Sequence, residues 1–257
     1  MKLKIPLLLS VGIVTFTGGV SFQSVVKAEE IGEVTEKVNF TELEFGQAFE
    51  IDYSQVIQDY SDVEKYVAIL EEYKLEHPNA TPEELDQFLS VEMGKELQSQ
   101  NGISTLGYDD VPYVTNMLNA KEKAVFNSNK AYGLSALVAG QKAKTYSEGN
   151  YKSSTLHNGN GDAYRHILWN TLMRNYTTKA YAEKFATAHE EGSSGQPAIE
   201  KKMDLFNNSV GRGLTFSGSG VQGELAALYV VRKAVDGGKG KRISSGKLVA
   251  TNSSGKK

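Results

Sequence analysis

Gly161-Asp162-Ala163-Tyr164-Arg165-His166 opens the stretch that decides the fold, which runs from residue 159 to residue 213. The stretch continues with Trp169-Asn170, Ala188-His189-Glu190, Met203-Asp204 and Asn207-Asn208-Ser209-Val210-Gly211-Arg212. Polar residues stand here where helices usually keep apolar ones. Burying an unpaired polar group costs about 1–3 kcal/mol. The concentration therefore predicts either a functional site or a hydrogen-bonded network.

Helical spacing aligns these residues into stripes. We predict three helices, at 162–175, 178–191 and 197–211. Asp162, His166 and Asn170 are four residues apart, so they share one face of the first helix. The third helix has an ordinary apolar stripe, formed by Ile199, Met203, Phe206 and Val210. It also has a polar stripe, which we expect to face inward, formed by Asp204, Asn207, Asn208 and Gly211.

The second helix carries His189 on a stripe of small residues. Ala182 and Ala186 precede it at helical spacing. Small side chains let a neighbouring helix approach closely. We therefore expect His189 to lie in a packed interior.

Three roles are open for the polar residues. In the first, His166, His189 and Asp204 hold a divalent metal such as zinc and leave a position for water. In the second, a histidine oriented by a carboxylate activates water without a metal. In the third, the buried groups cross-link the helices as a structural network without chemistry.

The two chemical roles use the same candidate residues. The catalytic candidates are His166, His189, Glu190 and Asp204, with Glu190 as a proton carrier. The residues expected to orient or bind substrate are Asp162, Arg165, Trp169, Asn170, Asn207, Asn208 and Arg212.

The rest of the chain predicts an all-α protein with five segments. Residues 1–28 have the charged start, apolar run and small residues of a signal peptide, and 29–60 form an acidic linker. An acidic helical region follows at 61–102, and a multi-helix bundle domain at 119–236 carries the polar site. Residues 237–257 form a basic Gly/Ser tail, whose end we expect to be mobile.

Local signals place several element boundaries. Ser61 to Glu64 fits a capping box for the first helix. Asn119 is expected to cap a long helix that reaches about Tyr146, with a break near Gly133 or Gly140. The strand-like segments are Leu214–Phe216 and Lys247–Thr251.

Composition narrows the setting and the partners. The chain has no cysteine, which excludes disulfides, thiolate catalysis and cysteine-based metal sites. Residues 29–100 hold 19 acidic and 4 basic side chains, whereas 101–257 hold 12 and 21. We expect a secreted or cell-wall-associated protein without a membrane span after signal cleavage, with a cell-envelope polymer as candidate partner and no nucleic acid.

The motifs, taken in order, resemble an uncharacterised domain of secreted Gram-positive bacterial proteins. The motifs are GDAxRHxxWN, AHE and MDxxNNxxGR, and the resemblance covers about residues 119–212. It implies an α-helical domain with these polar positions as its signature, and it carries no established reaction. The function expected from the residues is a hydrolase that uses a divalent metal or a His-activated water. The alternative is a non-catalytic envelope-binding or surface-binding protein.

Overall fold

A computed structural model describes residues 56–99, 117–218 and 220–257, which lie within the unit Glu50–Lys257. The signal peptide expected at 1–28 and most of the acidic linker expected at 29–60 lie outside the described residues. Within the described parts, the fold is all-α with eight α-helices and one small sheet, as the sequence predicts. None of these helices is long and apolar enough to cross a membrane.

Two helices form the acidic N-terminal region, α1 (Tyr60–Glu76) and α2 (Pro82–Ser99). The cap of α1 is Asp59 and not Ser61, because the Asp59 carboxylate accepts hydrogen bonds from the backbone of Ser61 and Asp62. The capping box therefore starts two residues earlier than the sequence suggested.

The long helix expected after Asn119 is two helices. Asn119 caps α3 (Ala120–Ser128), and α4 (Lys130–Asn150) follows directly. The break falls at Asn129, and neither Gly133 nor Gly140 interrupts α4. Asn129 is extended, with φ of −164°, and its side chain accepts a hydrogen bond from the backbone of Tyr132. An asparagine cap therefore sets this boundary.

The last four helices are α5 (Asn160–Tyr176), α6 (Lys179–Gly192), α7 (Ala198–Gly213) and α8 (Gly220–Asp236). The first three of them match the three predicted site helices within two residues at each end. Helix α5 is central, because 14 of its 17 residues are buried and it packs against α4, α6, α7 and α8.

The expected Gly/Ser tail is a folded hairpin with a docked end. Strands β1 (Lys241–Ser244) and β2 (Lys247–Ala250) pair antiparallel, and β2 confirms the strand-like signal there. The backbone N–H of Lys257 then bonds the carbonyl of Asn150, which holds the chain end against α4. The strand expectation for Leu214–Phe216 is wrong, since those residues pair with no strand of the described structure.

Helices α5 and α7 touch at Gly211. A Cβ at this position would lie 2.3 Å from the backbone oxygen of Ile167 and 2.9 Å from the Cβ of Asn170. The glycine therefore sets how closely the two helices approach. Gly213, two residues further on, has open space around its missing Cβ.

We predict that Gly211→Ala lowers the free energy of unfolding by about 2 kcal/mol or more, because the methyl group must push α7 away from α5. Gly213→Ala is the matched control and should change stability by about 1 kcal/mol at most, in the stabilising direction. Urea denaturation followed by circular dichroism measures both. Equal midpoints for the two variants would contradict the close contact.

Candidate functional site

The polar stripes of α5 and α7 meet and are buried. Asp162, His166 and Asp204 are each at most 5% exposed, and Asn170, Asn207 and Asn208 are fully buried. The expectation that the amide stripe faces inward is therefore confirmed. Helix α7 directs its polar stripe into the protein. Phe206, which belongs to the apolar stripe, is in consequence 41% exposed.

His166 lies at the centre of the cluster. Its Nε2 is 3.5 Å from Oδ1 of Asp162 and 3.3 Å from Oδ1 of Asp204. Its Nδ1 is 3.3 Å from Oδ1 of Asn208 and 3.6 Å from Oε1 of Glu190. One imidazole thus joins residues from α5, α6 and α7.

The surroundings of His166 bear on its protonation. Burial lowers the pKa of the imidazole. The hydrogen bond with Asp162 and the charge of Asp204 raise it by more than burial lowers it, so the pKa lies above its ordinary value. Nδ1 has an acceptor in Asn208 whether or not Nε2 is protonated. Nε2, which faces the two aspartates, is therefore the ring nitrogen that can carry a proton or, when unprotonated, bind a cation.

Asp162 is the well-bonded carboxylate of the pair. Arg165 Nη2 lies 2.5 Å from its Oδ1, and the backbone N–H of Asn158 bonds its Oδ2 at 2.6 Å. Burial raises the pKa of Asp162, but His166 and Arg165 outweigh burial and hold the pKa below its ordinary value. Asp162 is therefore ionised at neutral pH.

Asp204 makes fewer hydrogen bonds than Asp162. Its Oδ2 accepts a hydrogen bond from Gln196 at 2.7 Å, but its buried Oδ1 has no hydrogen-bond partner. The 3.3 Å approach to His166 is a close charge contact without hydrogen-bond geometry. Burial raises the pKa of Asp204 to about 6, with Glu190 and Asp162 adding to the rise and His166 opposing it.

The neighbouring amides form a bonded chain. Asn208 donates to Glu190 at 2.9 Å, and Asn170 donates to Asn208 at 2.8 Å. Arg212 then donates to Asn170 at 2.8 Å. These four side chains cross-link α5, α6 and α7 in the way expected of a structural network.

Two predicted substrate-binding residues bond elsewhere in the protein. Asn207 makes two hydrogen bonds to the backbone of Lys241 and so holds β1 against α7. Trp169 donates to the carbonyl of Ala136 at 3.2 Å, which ties α5 to α4. Both therefore have structural partners, and their role towards a substrate stays a prediction.

His189 does not lie in a packed interior, because its side chain is 41% exposed. Its Nδ1 is 2.7 Å from Oε1 of Glu122 on α3, and its ring meets the edge of Trp169 at 5.2 Å. The described side chains whose ligand atoms all lie within 4.8 Å of one another are Asp162, His166 and Asp204. His189 is not among them.

Two further residues contact the predicted site residues, Gln196 and Glu122. Gln196 lies in the loop before α7 and orients Asp204, and no sequence signal marks it. Glu122 stands three residues after the cap Asn119, the position of a capping-box glutamate. Its Oε2 accepts a hydrogen bond from the backbone of Asn119, and this leaves Oε1 for His189.

We predict that Asp204→Asn raises the free energy of unfolding at neutral pH by up to about 3 kcal/mol in the metal-free protein. The pKa of Asp204 rises on folding, from the ordinary 3.8 to about 6. The parent therefore loses stability as the pH increases from about 4 to about 6. An uncharged amide removes that loss. Urea denaturation across this pH range should show a flatter profile for the variant than for the parent.

Glu224→Gln is the control with the opposite sign. Burial raises the pKa of Glu224, but hydrogen bonds from Lys142 and Tyr146 outweigh it and lower the pKa below its ordinary value. The ionised Glu224 therefore stabilises the fold at a pH above its ordinary pKa, and this stabilisation is lost on acidification. The variant lacks it and should be less stable than the parent at neutral pH. A loss of stability in both variants would refute our description of Asp204.

Comparison with known families finds that residues 123–239 match the family described as Domain of unknown function (DUF6973). Comparison with curated proteins and with solved structures finds no match. The matched region begins within α3, extends just past α8 and includes every member of the buried cluster. The chain therefore contains an all-α domain of unknown function, and the polar cluster lies inside that domain.

Proposed function

We propose that the domain binds a divalent cation between Asp162, His166 and Asp204 and uses it to hydrolyse a substrate. The observation that carries the proposal is the buried, unpartnered Oδ1 of Asp204, which faces His166 at 3.3 Å. This oxygen has lost its hydration, and the charge contact with His166 does not replace the hydrogen bonds it made in water. A cation at this position would supply the missing interaction.

The separations fit a metal ion. In a tetrahedral site with bonds of about 2.0–2.1 Å, neighbouring ligand atoms are about 3.3 Å apart. His166 Nε2 lies 3.5 Å from one aspartate Oδ1 and 3.3 Å from the other. The two carboxylates and one imidazole also match the oxygen and nitrogen ligands that zinc and manganese accept.

The residues around the three ligands support the same role. His166 offers Nε2 to a cation while Nδ1 has Asn208 as its acceptor and Glu190 nearby, an arrangement typical of metal-bound histidines. Gln196 fixes Asp204 through Oδ2, which leaves Oδ1 for the cation. We propose Asp162 as the third ligand because its Oδ1 faces Nε2, whereas His189 bonds Glu122.

Bound in this way, the cation would lower the pKa of a water molecule and provide the nucleophile for hydrolysis. Three protein ligands leave a coordination position open for that water. Glu190, buried 3.6 Å from Nδ1, would orient the His166 ring and make its Nε2 a stronger donor to the cation. The bonded chain from Glu190 to Arg212 keeps the helices in place.

A purely structural network is the alternative, and it accounts for only half of the cluster. The bonds among Glu190, Asn208, Asn170 and Arg212 fit it well. Asp204 fits it less well, because the network leaves its buried Oδ1 without a hydrogen bond, although His166 is within reach.

We predict that the purified protein binds one equivalent of Zn²⁺ or Mn²⁺, and that Asp162→Asn and Asp204→Asn each weaken binding by more than about 100-fold. Loss of a supporting residue alone costs 10- to 100-fold, so loss of a ligand should cost more. Equilibrium dialysis with metal analysis measures the binding. Hydrolysis of bis(p-nitrophenyl) phosphate and p-nitrophenyl acetate, with and without chelator, tests the reaction.

Two variants serve as controls. Glu224→Gln removes a half-buried carboxylate outside the cluster, and His189→Ala removes the other predicted histidine. Both should bind the cation as the parent does. A parent that binds neither cation, or loss of binding in the controls as well, would refute the proposal.

Export is a separate part of the proposal and rests on residues 1–28. Lys2 and Lys4 precede an apolar run, and Val26-Lys27-Ala28 precedes the expected cleavage site. We predict that protein secreted by a Gram-positive host begins at Glu29, which amino-terminal sequencing of the culture medium would test. Protein retained in cells with Met1 intact would contradict export and leave the cation site unaffected.

A further inference from the structure

Arg165 contacts two of the three proposed ligand atoms. It lies on α5 between Asp162 and His166, and its side chain is 42% exposed. Its Nη2 is 2.5 Å from Oδ1 of Asp162 and 3.2 Å from Nε2 of His166. A guanidinium only donates, so it bonds Nε2 when that nitrogen is unprotonated, which is also the form that binds a metal.

We infer that Arg165 is an internal competitor for the cation and holds its place until the cation arrives. The inference rests on the proposed function, because it concerns the same site. The guanidinium supplies one positive charge to two atoms that would otherwise bind a divalent ion. Its displacement is therefore a step in cation binding.

Electrostatics makes the two occupants mutually exclusive. An ion at bonding distance from Asp162 Oδ1, about 2.0–2.2 Å, would lie within about 5 Å of the observed Nη2 position. Like charges at that separation repel strongly inside a protein, where screening is weaker than in water. Arg165 must therefore leave when the ion binds.

The position of Arg165 gives it a route out. Asp162, His166 and Asp204 are buried, whereas the Arg165 side chain is partly exposed at the edge of α5. Rotation about its flexible side-chain bonds would carry the guanidinium into water, while the arriving cation would replace it as the partner of the buried Asp162. The backbone and the three ligands need not move.

Cation binding to Arg165→Ala tests the inference. Alanine suits a helix, so the variant should fold. We expect it to bind Mn²⁺ about tenfold more tightly than the parent, because binding no longer breaks an ion pair or overcomes a like charge. Arg232→Ala, an exposed arginine on α8, is the control for net charge and should bind like the parent. Arg165→Lys should lie between.

The outcomes separate the inference from the proposed function. Equal Mn²⁺ affinity for the parent and Arg165→Ala, or equal tightening in Arg232→Ala, overturns the role of Arg165 and leaves the metal site standing. Absence of binding in both the parent and Arg165→Ala overturns the metal site itself. Binding by Arg165→Ala alone would overturn both cation binding by the parent and displacement of Arg165, because the guanidinium would then block the site permanently.

A second readout follows the side chain directly. In ¹⁵N-labelled parent protein, the Nε–H resonance of Arg165 should report a fixed guanidinium before addition of Zn²⁺, a diamagnetic ion. It should move to the position typical of solvated arginine as the site fills. An unchanged resonance at full occupancy overturns the displacement.

Discussion

The close packing of α5 against α7 is the constraint on which the rest of the site depends. Gly211 lets the two backbones approach, so the stripe of Asp162, His166 and Asn170 faces the stripe of Asp204 and Asn208. Helix α6 adds Glu190 from the side. Without that spacing the polar side chains would be too far apart to form either a network or a ligand set.

The cluster has two parts with different energetics. Towards Arg212 every polar side chain has a partner, and the bonds stabilise the arrangement of the helices. Towards Asp162 the groups are strained electrostatically, since two aspartates share one imidazole and Asp204 Oδ1 has no hydrogen bond. The bonded part holds the geometry, and the unbonded part is where chemistry would occur. Arg165, which is partly exposed to solvent, offsets part of this negative charge through its ion pair with Asp162.

The sequence predicted the site helices well because their polar residues recur at helical spacing and their ends carry ordinary signals. It also predicted that the amide stripe faces inward, since two amides and a carboxylate are unusual together on a solvated helix face. The break at Asn129 was missed because Asn129 caps through its side chain within an otherwise helical stretch. His189 was placed in the interior because periodicity defines a face but not the partner that covers it. The roles of Gln196 and Arg165 depend on contacts across loops and between neighbouring side chains, which spacing does not reveal.

A crystal of the protein soaked in Mn²⁺ tests the central claim most directly, through anomalous diffraction at the manganese absorption edge. We predict one strong peak within about 2.4 Å of Asp162 Oδ1, His166 Nε2 and Asp204 Oδ1, with Arg165 turned towards solvent. A cluster without a peak, in which Arg165 still contacts Asp162, would contradict the account. The buried polar residues would then be a structural network alone.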